Sequence, residues 1–230
     1  MKKAALHNLG CKVNAYETEA MQHLLEEAGY EIVPFTQKAD VYVINTCSVT
    51  NMADRKSRQM LHKAKKNNPD SIVVAAGCYV QTSEKEVLND LSVDIVIGND
   101  RKHDLVRLLE EYSLDSVNDT VDDINDGKHD FEELFIDQTK EHTRAFIKVQ
   151  DGCNQFCSYC IIPYARGRVR SRRFENVIAE VERLAANGFK EVVLTGIHLS
   201  SYGVDFEEAT GLLEPVSYTH LRAHETLANL

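Results

Sequence analysis

The sequence predicts an α/β protein, in which an N-terminal, Rossmann-like domain with a parallel sheet precedes the first βαβ part of an incomplete (α/β) barrel. Two patterns predict this class. In the first half of the chain, short apolar or β-branched runs alternate with helical patterns. After residue 143, a strand, an amphipathic helix and another strand follow in that order. Both patterns favour parallel strands covered by helices.

Four strands are predicted in the first domain, at residues 3–8, 40–46, 71–76 and 94–97. Asn14 and Glu17 resemble a capping box at the start of a helix that continues to Ala28 and stops at Gly29. Two more helices are indicated by apolar stripes. The stripes are Ala53, Ser57, Met60, Leu61 and Ala64 in one helix, and Leu105, Leu108 and Leu109 in the other.

The second domain begins with a predicted strand at 144–150, which a helix at 174–188 and a strand at 191–196 follow. This βαβ unit is the repeat of an (α/β) barrel, whose chemistry lies at the carboxyl ends of the strands. A single unit cannot close a barrel. We therefore expect the first domain to fold alone and the second to lack some of its neighbours.

An acidic segment separates the two domains. Between Glu110 and Asp137 we count eleven acids against the single base Lys128, a balance that equals the formal net charge of -10 of the whole chain. The segment has few periodic apolar residues, so we interpret it as a solvated linker, with an acidic regulatory element as the alternative. The predicted divisions are a first domain at 1–111, the linker at 112–142, a second domain at 143–206 and an unmatched tail at 207–230.

Composition indicates a folded protein that is not a membrane protein. Of 230 residues, 43% are hydrophobic and 27% are charged, which is enough apolar material for a buried core. The opening segment has too short an apolar run for a signal peptide, and no stretch is as long as a membrane span. We expect a cytoplasmic protein without a membrane partner, whose six cysteines favour metal or redox chemistry over disulfides.

Three cysteines follow predicted strands of the first domain. Cys11, Cys47 and Cys78 occur in LGC, INTC and AAGC, each at the carboxyl end of a strand. Ligands of open α/β sheets bind at that edge, so a shared site is favoured. The alternative is that these cysteines are small buried hydrophobes.

The other three cysteines lie within eight residues. Cys153, Cys157 and Cys160 have the spacing CxxxCxxC. A structural zinc site prefers four ligands in two pairs, whereas three thiolates on a cubane iron–sulfur cluster leave one iron open. We favour the iron–sulfur cluster over zinc and over unligated cysteines. The same reasoning predicts a second cluster at Cys11, Cys47 and Cys78.

CxxxCxxC with Tyr159 before its last cysteine resembles the signature of radical S-adenosylmethionine (SAM) enzymes. With LGCKVNAYETE, VINTCSVTNMADRKSRQ, AAGCYVQ and KVQDGCNQFCSYCIIPYARGRVRSR, the chain is similar to the radical SAM methylthiotransferases over residues 3 to about 206. It looks most like the branch that modifies N6-threonylcarbamoyladenosine beside the anticodon of tRNA.

The resemblance implies two [4Fe-4S] clusters, with SAM bound by the free iron of the cluster at Cys153, Cys157 and Cys160. The 5'-deoxyadenosyl radical would take hydrogen from C2 of the modified adenine. The auxiliary cluster at the other triplet would carry the sulfur that a second SAM methylates. Such a reaction needs an electron donor, such as flavodoxin or ferredoxin, and its substrate would be the tRNA anticodon loop.

The resemblance also implies cofactor contacts, although no catalytic residue is assigned. Tyr159 would contact the adenine of SAM, with simple packing against the loop as the alternative. Thr195 and Gly196 are candidates for contacts to the methionine end of SAM.

RNA contacts are predicted from the charges. Arg166, Arg168, Arg170 and Arg172 alternate, so an extended chain would project them from one face, with Arg173 beside them. A helix of the first domain carries a second basic run, for which a solvated face is the commoner meaning. It comprises Arg55, Lys56, Arg58, Lys63, Lys65 and Lys66.

The resemblance stops after residue 206, and the tail from 207 looks like translated vector sequence. We therefore expect a C-terminally truncated fragment that does not catalyse alone. Two other functions remain open, namely methylthiolation of a ribosomal-protein aspartate and a non-catalytic iron–sulfur module that binds RNA.

Overall fold

The computed structural model describes residues 1–112, 121–127, 129–136, 144–207 and 211–217. Within these ranges the chain forms a five-stranded sheet and a three-stranded sheet. No helix in this part of the chain is long and apolar enough to cross a membrane.

The five-stranded sheet is parallel throughout and confirms the α/β prediction for the first domain. Its strand order is β2-β1-β3-β4-β5. The strands are β1 (Lys3–Asn8), β2 (Glu31–Ile32), β3 (Val41–Thr46), β4 (Ile72–Gly77) and β5 (Ile95–Ile97). The helices are α1 (Lys12–Glu27), α2 (Asn51–Asn67), α3 (Cys78–Thr82), α4 (Glu84–Leu88) and α5 (Leu105–Tyr112).

Alternate residues of the central strands face opposite sides of this sheet, and helices cover both sides. Tyr42 and Ile44 pack in the same core cluster as Leu61 of α2. Val41 and Val43 pack on the other side with residues of α1 and α5. The stripe predicted for α5 is confirmed, and the stripe predicted for α2 is buried at Ser57, Leu61 and Ala64 and partly buried at Ala53 and Met60.

The predicted capping box at Asn14 and Glu17 is wrong. Helix α1 begins at Lys12 with Cys11 as its N-cap, so both residues lie inside the helix. Both side chains are fully buried and bind groups elsewhere in the fold. Asn14 Nδ2 donates to the carbonyl oxygens of Leu9 at 2.8 Å and Thr46 at 2.9 Å.

The three-stranded sheet contains β6 (Ala145–Asp151), β7 (Arg170–Ser171) and β8 (Val192–Gly196). Helix α6 (Ile162–Arg166) precedes β7, and helix α7 (Phe174–Ala186) connects it to β8. Strands β6 and β8 are parallel, which confirms the βαβ unit. The short antiparallel strand β7 on the other edge of β6 was not predicted.

Part of the acidic segment is not a solvated linker. Leu134 and Ile136 are buried in a core cluster with Tyr16 and Ala20 of α1 and with apolar residues of β6. They lie where the two sheets meet, a region that we call the joint, so the solvated interpretation is wrong for Glu132, Leu134 and Ile136, whereas Asp130 and Phe135 are exposed. Residues 113–120, 128 and 137–143 of the predicted linker lie outside the described residues, as do 208–210 and 218–230 of the tail.

Candidate metal centre

The first cysteine triplet lies at one edge of the parallel sheet. Strands β1, β3 and β4 are neighbours, with Asn8 opposite Asn45 and Thr46 opposite Gly77. Cys47 and Cys78 directly follow β3 and β4, and Cys11 follows β1. The strand-end positions predicted for these cysteines are confirmed by this topology.

The thiols of this triplet are within electrostatic reach of one another. Burial raises the pKa of Cys47, while a backbone hydrogen bond from Val49 lowers it. Negative charge on Cys78 and Cys11 raises the same pKa further, and the positive charge of Arg166 opposes these effects. A cationic metal centre would remove this mutual repulsion by binding the thiolates.

Neighbouring polar groups fix the triplet in place. The Cys47 backbone N–H donates to Ser57 Oγ at 3.2 Å, and the Ser57 hydroxyl donates to the Cys47 carbonyl at 3.1 Å. Asn99 Nδ2 donates to Cys78 Sγ at 3.6 Å. Gly77 has φ of +98°, and a Cβ there would lie 2.5 Å from Asn45 Oδ1. The glycine before Cys78 is therefore required by both backbone conformation and space.

The second triplet belongs to a loop that leaves β6. The Cys153 N–H donates to the Gly167 carbonyl at 3.1 Å, and the Cys160 N–H donates to the Cys157 carbonyl at 2.9 Å. Gly152 has φ of +70°, and a Cβ there would lie only 1.8 Å from the carbonyl oxygen of Arg168. Only glycine fits at the point where the loop begins.

Both triplets have the donor chemistry of iron–sulfur ligands. All six cysteines are free. Among the described residues, no group of three His, Cys, Asp or Glu side chains is placed to hold a single metal ion. The thiolates of a cubane cluster bind different iron atoms, so a cluster does not need such a close group. Two sets of three thiolates fit two clusters better than one zinc site.

A buried ion network joins the two sheets next to both triplets. Arg166 Nη1 lies 2.9 Å from Glu17 Oε1 and 3.0 Å from Asp151 Oδ2, and Arg166 Nη2 donates to Asn14 Oδ1 at 2.7 Å. Lys148 Nζ lies 2.8 Å from Glu17 Oε1 and 2.7 Å from Asp151 Oδ2. All five side chains are buried. Charge pairing across the joint compensates for the cost of burying them.

The network keeps its carboxylates ionised. Burial by itself raises the pKa of Glu17, but the positive charges of Arg166, Lys102 and Lys148 outweigh burial and hold it well below its usual range. Burial likewise raises the pKa of Asp151, and Arg166 and Lys148 reverse this effect. Burial lowers the pKa of Lys148, yet Asp151 and Glu17 raise it above its ordinary value.

Arg172 is a second buried arginine at the joint, and its partners among the described residues are not cysteines. Arg172 pairs with Glu180 of α7 and lies within 3.3 Å of Tyr16 Oη. Arg172 Nε also donates to Glu133 at 2.8 Å. Tyr16 Oη donates to the Leu134 carbonyl at 2.5 Å, so α1, α7 and residues 129–136 meet here.

The predicted row of exposed arginines is wrong for three of its four members. Arg166 and Arg172 are 0% exposed and Arg170 is 5% exposed. Arg166 ends α6 and only Arg170 lies in a strand, so the alternation of an extended chain does not apply. The RNA contacts predicted for these three are withdrawn, because their side chains are buried and bind carboxylates or a backbone carbonyl within the fold. Arg168 remains exposed.

The remaining exposed arginines do not form a basic surface. Arg168 and Arg173 line an open cleft of about 1010 Å³, which also contains five acidic side chains. These acids are Asp130, Glu133, Glu175, Asp205 and Glu207. Most of the basic run on α2 is exposed, but Lys65 pairs with Asp94 at 2.7 Å. The RNA contact on α2 stays a prediction.

The predicted cofactor contacts occupy different environments. Tyr159 is 91% exposed, beside Cys160. Thr195 is buried and pairs with Lys148 in the sheet, and Gly196 pairs with Gln150. A Cβ at Gly196 would lie 2.9 Å from Gln150 Oε1, so this glycine allows the close approach of β6. The roles of these residues in SAM binding stay predictions.

Several residues of the site were missed in the sequence. Two of them, Lys148 in AFIKVQD and Asn45 in VYVINT, had one signal, a polar side chain within an apolar run that the fold buries. Asn99 and Lys102 follow β5 and had no such signal. Lys102 Nζ donates to the Asn99 carbonyl at 2.8 Å and lies 3.4 Å from Glu17 Oε2.

Two family models match the chain, one for each sheet. Residues 3–98 match the Uncharacterized protein family UPF0004, and residues 147–221 match the Radical SAM superfamily. The second match continues past residue 206, where we expected the resemblance to stop. Each match contains one of the two cysteine triplets.

Curated relatives align with most of this chain. The Threonylcarbamoyladenosine tRNA methylthiotransferase MtaB of Bacillus subtilis (strain 168) is 47% identical, across 90% of this chain and 46% of its own length. The tRNA-2-methylthio-N(6)-dimethylallyladenosine synthase of Bacillus mycoides (strain KBAB4) is 35% identical, across 90% of this chain and 42% of its own length. The chain thus spans about half the length of the curated relatives it matches.

Solved structures support the fold. Two structures of the radical SAM methyltransferase TsrM from Kitasatospora setae each have a TM-score of 0.58 and cover 87% of this chain and 48% of TsrM. One contains tryptophan and a SAM analogue, and the other contains cobalamin and a [4Fe-4S] cluster. At 15% and 14% identity, this similarity concerns the fold alone.

The fold and the two triplets define the class: this is a radical SAM protein with a UPF0004 region ahead of its radical SAM region. With the curated relatives, these matches show that the chain is related to the radical SAM methylthiotransferases. The recognition made from the cysteine motifs is confirmed.

Proposed function

We propose that the protein from which this chain comes methylthiolates C2 of N6-threonylcarbamoyladenosine beside the anticodon of tRNA. The observation that carries this proposal is the pair of cysteine triplets, one at three strand ends of the parallel sheet and one in the loop after β6, that share one buried joint. The relative named for this reaction is more similar to the chain, at 47% identity, than the relative named for the dimethylallyl substrate, at 35%.

In this proposal each triplet binds one [4Fe-4S] cluster. The cluster at Cys153, Cys157 and Cys160 supplies one-electron chemistry to SAM, and the cluster at the other triplet supplies the sulfur. The net change replaces the C2 hydrogen by a methylthio group, with one SAM consumed in removing the hydrogen and a second donating the methyl group. Electrons come from a flavodoxin or ferredoxin.

The proposal of a tRNA substrate rather than a protein substrate now rests on the reactions for which the curated relatives are named. The arginine row favoured RNA only while its side chains were expected on the surface, and three of them are buried. Mass spectrometry of tRNA nucleosides from cells that lack the protein tests the substrate. Loss of the methylthio group from threonylcarbamoyladenosine is the expected result, and an unchanged nucleoside profile contradicts the proposal.

Cluster number is tested on the purified chain. Anaerobic reconstitution is expected to give roughly eight iron atoms per chain, as two clusters of four. Replacing Cys11, Cys47 and Cys78 by alanine should leave about half of this iron, and so should replacing Cys153, Cys157 and Cys160. Four irons or fewer in the unsubstituted chain contradict the two-cluster proposal.

A further inference from the structure

We propose that Arg166 is a positioning residue that raises the reduction potential of the metal centre at Cys11, Cys47 and Cys78. This inference rests on the proposed function, in which that triplet holds an iron–sulfur cluster. Arg166 itself belongs to the other domain, at the end of α6. A residue of the radical SAM region would thus raise the reduction potential of the metal centre in the first domain.

The end of α6 reaches the first triplet through two buried asparagines, one bound by Arg166 and the other bound to the carbonyl of Ala165. Arg166 Nη2 donates to Asn14 Oδ1 at 2.7 Å, and the same oxygen lies 3.5 Å from Cys11 Sγ. Asn99 Nδ2 donates to the carbonyl of Ala165 at 2.6 Å and to Cys78 Sγ at 3.6 Å. Helix α3, which begins at Cys78, packs against α6. Two of the three thiols are therefore one side chain away from the α6 terminus.

The charge of Arg166 also acts on the thiols. Burial lowers the pKa of Arg166, but negative charge on Asp151, Cys78 and Glu17 raises it well above its ordinary value. Around the arginine, the cations Lys102 and Lys148 pair with Glu17, and Lys148 also pairs with Asp151. Lys102 also lies 3.9 Å from Glu132, and Arg170 lies 3.9 Å from Asp151. Four cations thus face three carboxylates within 4 Å, which leaves positive charge to act on the thiolates.

Reduction adds one negative charge to a cluster that three thiolates hold. Its potential depends on nearby charge, hydrogen bonds to sulfur and solvent exposure. A buried cation beside the ligands stabilises the reduced form more than the oxidised form, because a low dielectric weakens the screening. Loss of the Arg166 charge should therefore lower the midpoint potential.

The test isolates the first centre by replacing Cys153, Cys157 and Cys160 with alanine. In this background, Arg166→Gln is expected to reduce the ratio of reduced to oxidised cluster about tenfold at a fixed potential, a shift of about 59 mV for one electron. Arg166→Lys keeps the charge and should stay within about threefold of the parent. The readout is the electron paramagnetic resonance signal of the reduced cluster during redox titration.

Arg172→Gln is the matched control. Arg172 is also fully buried with carboxylate partners in the joint, but it contacts Tyr16, Glu133 and Glu180 and none of the cysteines. A selective shift in the Arg166 variant supports the inference. Equal shifts in both variants, or no shift in either, overturn it.

Two further outcomes separate the possible failures. If Arg166→Gln does not hold iron, Arg166 is needed for cluster binding, and the inference about the reduction potential is overturned. If the parent with Cys11, Cys47 and Cys78 binds no cluster, the proposed function fails and the inference fails with it.

Discussion

The two cysteine triplets contain the same ligands but depend on the fold in different ways. Cys11, Cys47 and Cys78 come from three strand ends, and two of them are buried. The second triplet lies within eight residues of one loop, and none of its cysteines is buried. The first site therefore exists only when the sheet has formed, whereas the second depends on the turns of its own loop. Substitutions should separate them.

The largest expected effect on unfolding free energy comes from the buried ion network at the joint between the two sheets. Glu17→Gln removes one of the two buried carboxylates that Arg166 and Lys148 share, the other being Asp151, and this should cost about 4 kcal/mol of unfolding free energy. Chemical denaturation measures this loss. Glu27→Gln on the exposed side of the same helix is the control and should cost under roughly 0.5 kcal/mol. Equal costs would contradict the role of the joint.

Acid should weaken the same joint. The pKa values of Glu17 and Asp151 are lowered in the folded chain, from ordinary values of 4.5 and 3.8. Their stabilisation is therefore complete above those ordinary values and is lost as the pH falls from them toward the lowered pKa. Hydrogen exchange between pH 7 and 3 should show β6 losing protection before β3. The prediction fails if Glu17→Gln follows the same acid profile as the parent.

One added methyl group at Gly152 should prevent the second triplet from holding iron. Gly152→Ala places a Cβ on the Arg168 carbonyl oxygen, and positive φ adds strain, so we expect a cost of about 3 kcal/mol. Reconstituted iron should fall by about half, because the first triplet lies on the other sheet. Gly188→Ala is the control, since its φ is +92° with nothing within 4 Å, and it should retain all the iron. Iron loss from both triplets would contradict their independence.

The first triplet should be weakened by Ser57→Ala. This change removes both hydrogen bonds that fix the Cys47 backbone, at a cost of about 1–2 kcal/mol. Iron at the first triplet should be released to a chelator severalfold faster, and iron at the second should not. Gln59→Ala, on the exposed face of the same helix, is the control. Equal release rates would show that Ser57 does not support this site.

The smallest effect on stability is expected at Tyr159. Its side chain is almost fully exposed, so Tyr159→Ala should change unfolding free energy by less than roughly 0.5 kcal/mol. If Tyr159 stacks on the adenine of SAM, affinity for SAM should fall about tenfold, while Tyr159→Phe should retain it. Calorimetric titration of the reconstituted chain measures both. Unchanged affinity in the alanine variant would leave Tyr159 as a surface residue.

Local patterns were sufficient to predict most elements of the fold. Apolar runs located β1 correctly and β3, β4 and β5 to within one residue. The reason is that β3, β4 and β5 are buried along almost their whole length, and β1 is buried at Ala4 and Ala5. The strand ends then placed three cysteines at one edge. The same reasoning failed at the arginine row, where an extended chain was assumed and α6 ends at Arg166 instead.

By itself, the sequence determined the α/β class, the two triplets and the family, because periodicity and ligand spacing are local properties of the chain. Only the tertiary structure decided which charges are buried and with what partners. Arg166 and Glu17 are separated by 149 positions, yet the joint brings them to 2.9 Å. A buried charge requires an opposite charge in space, and nothing in its neighbouring residues states where that partner lies.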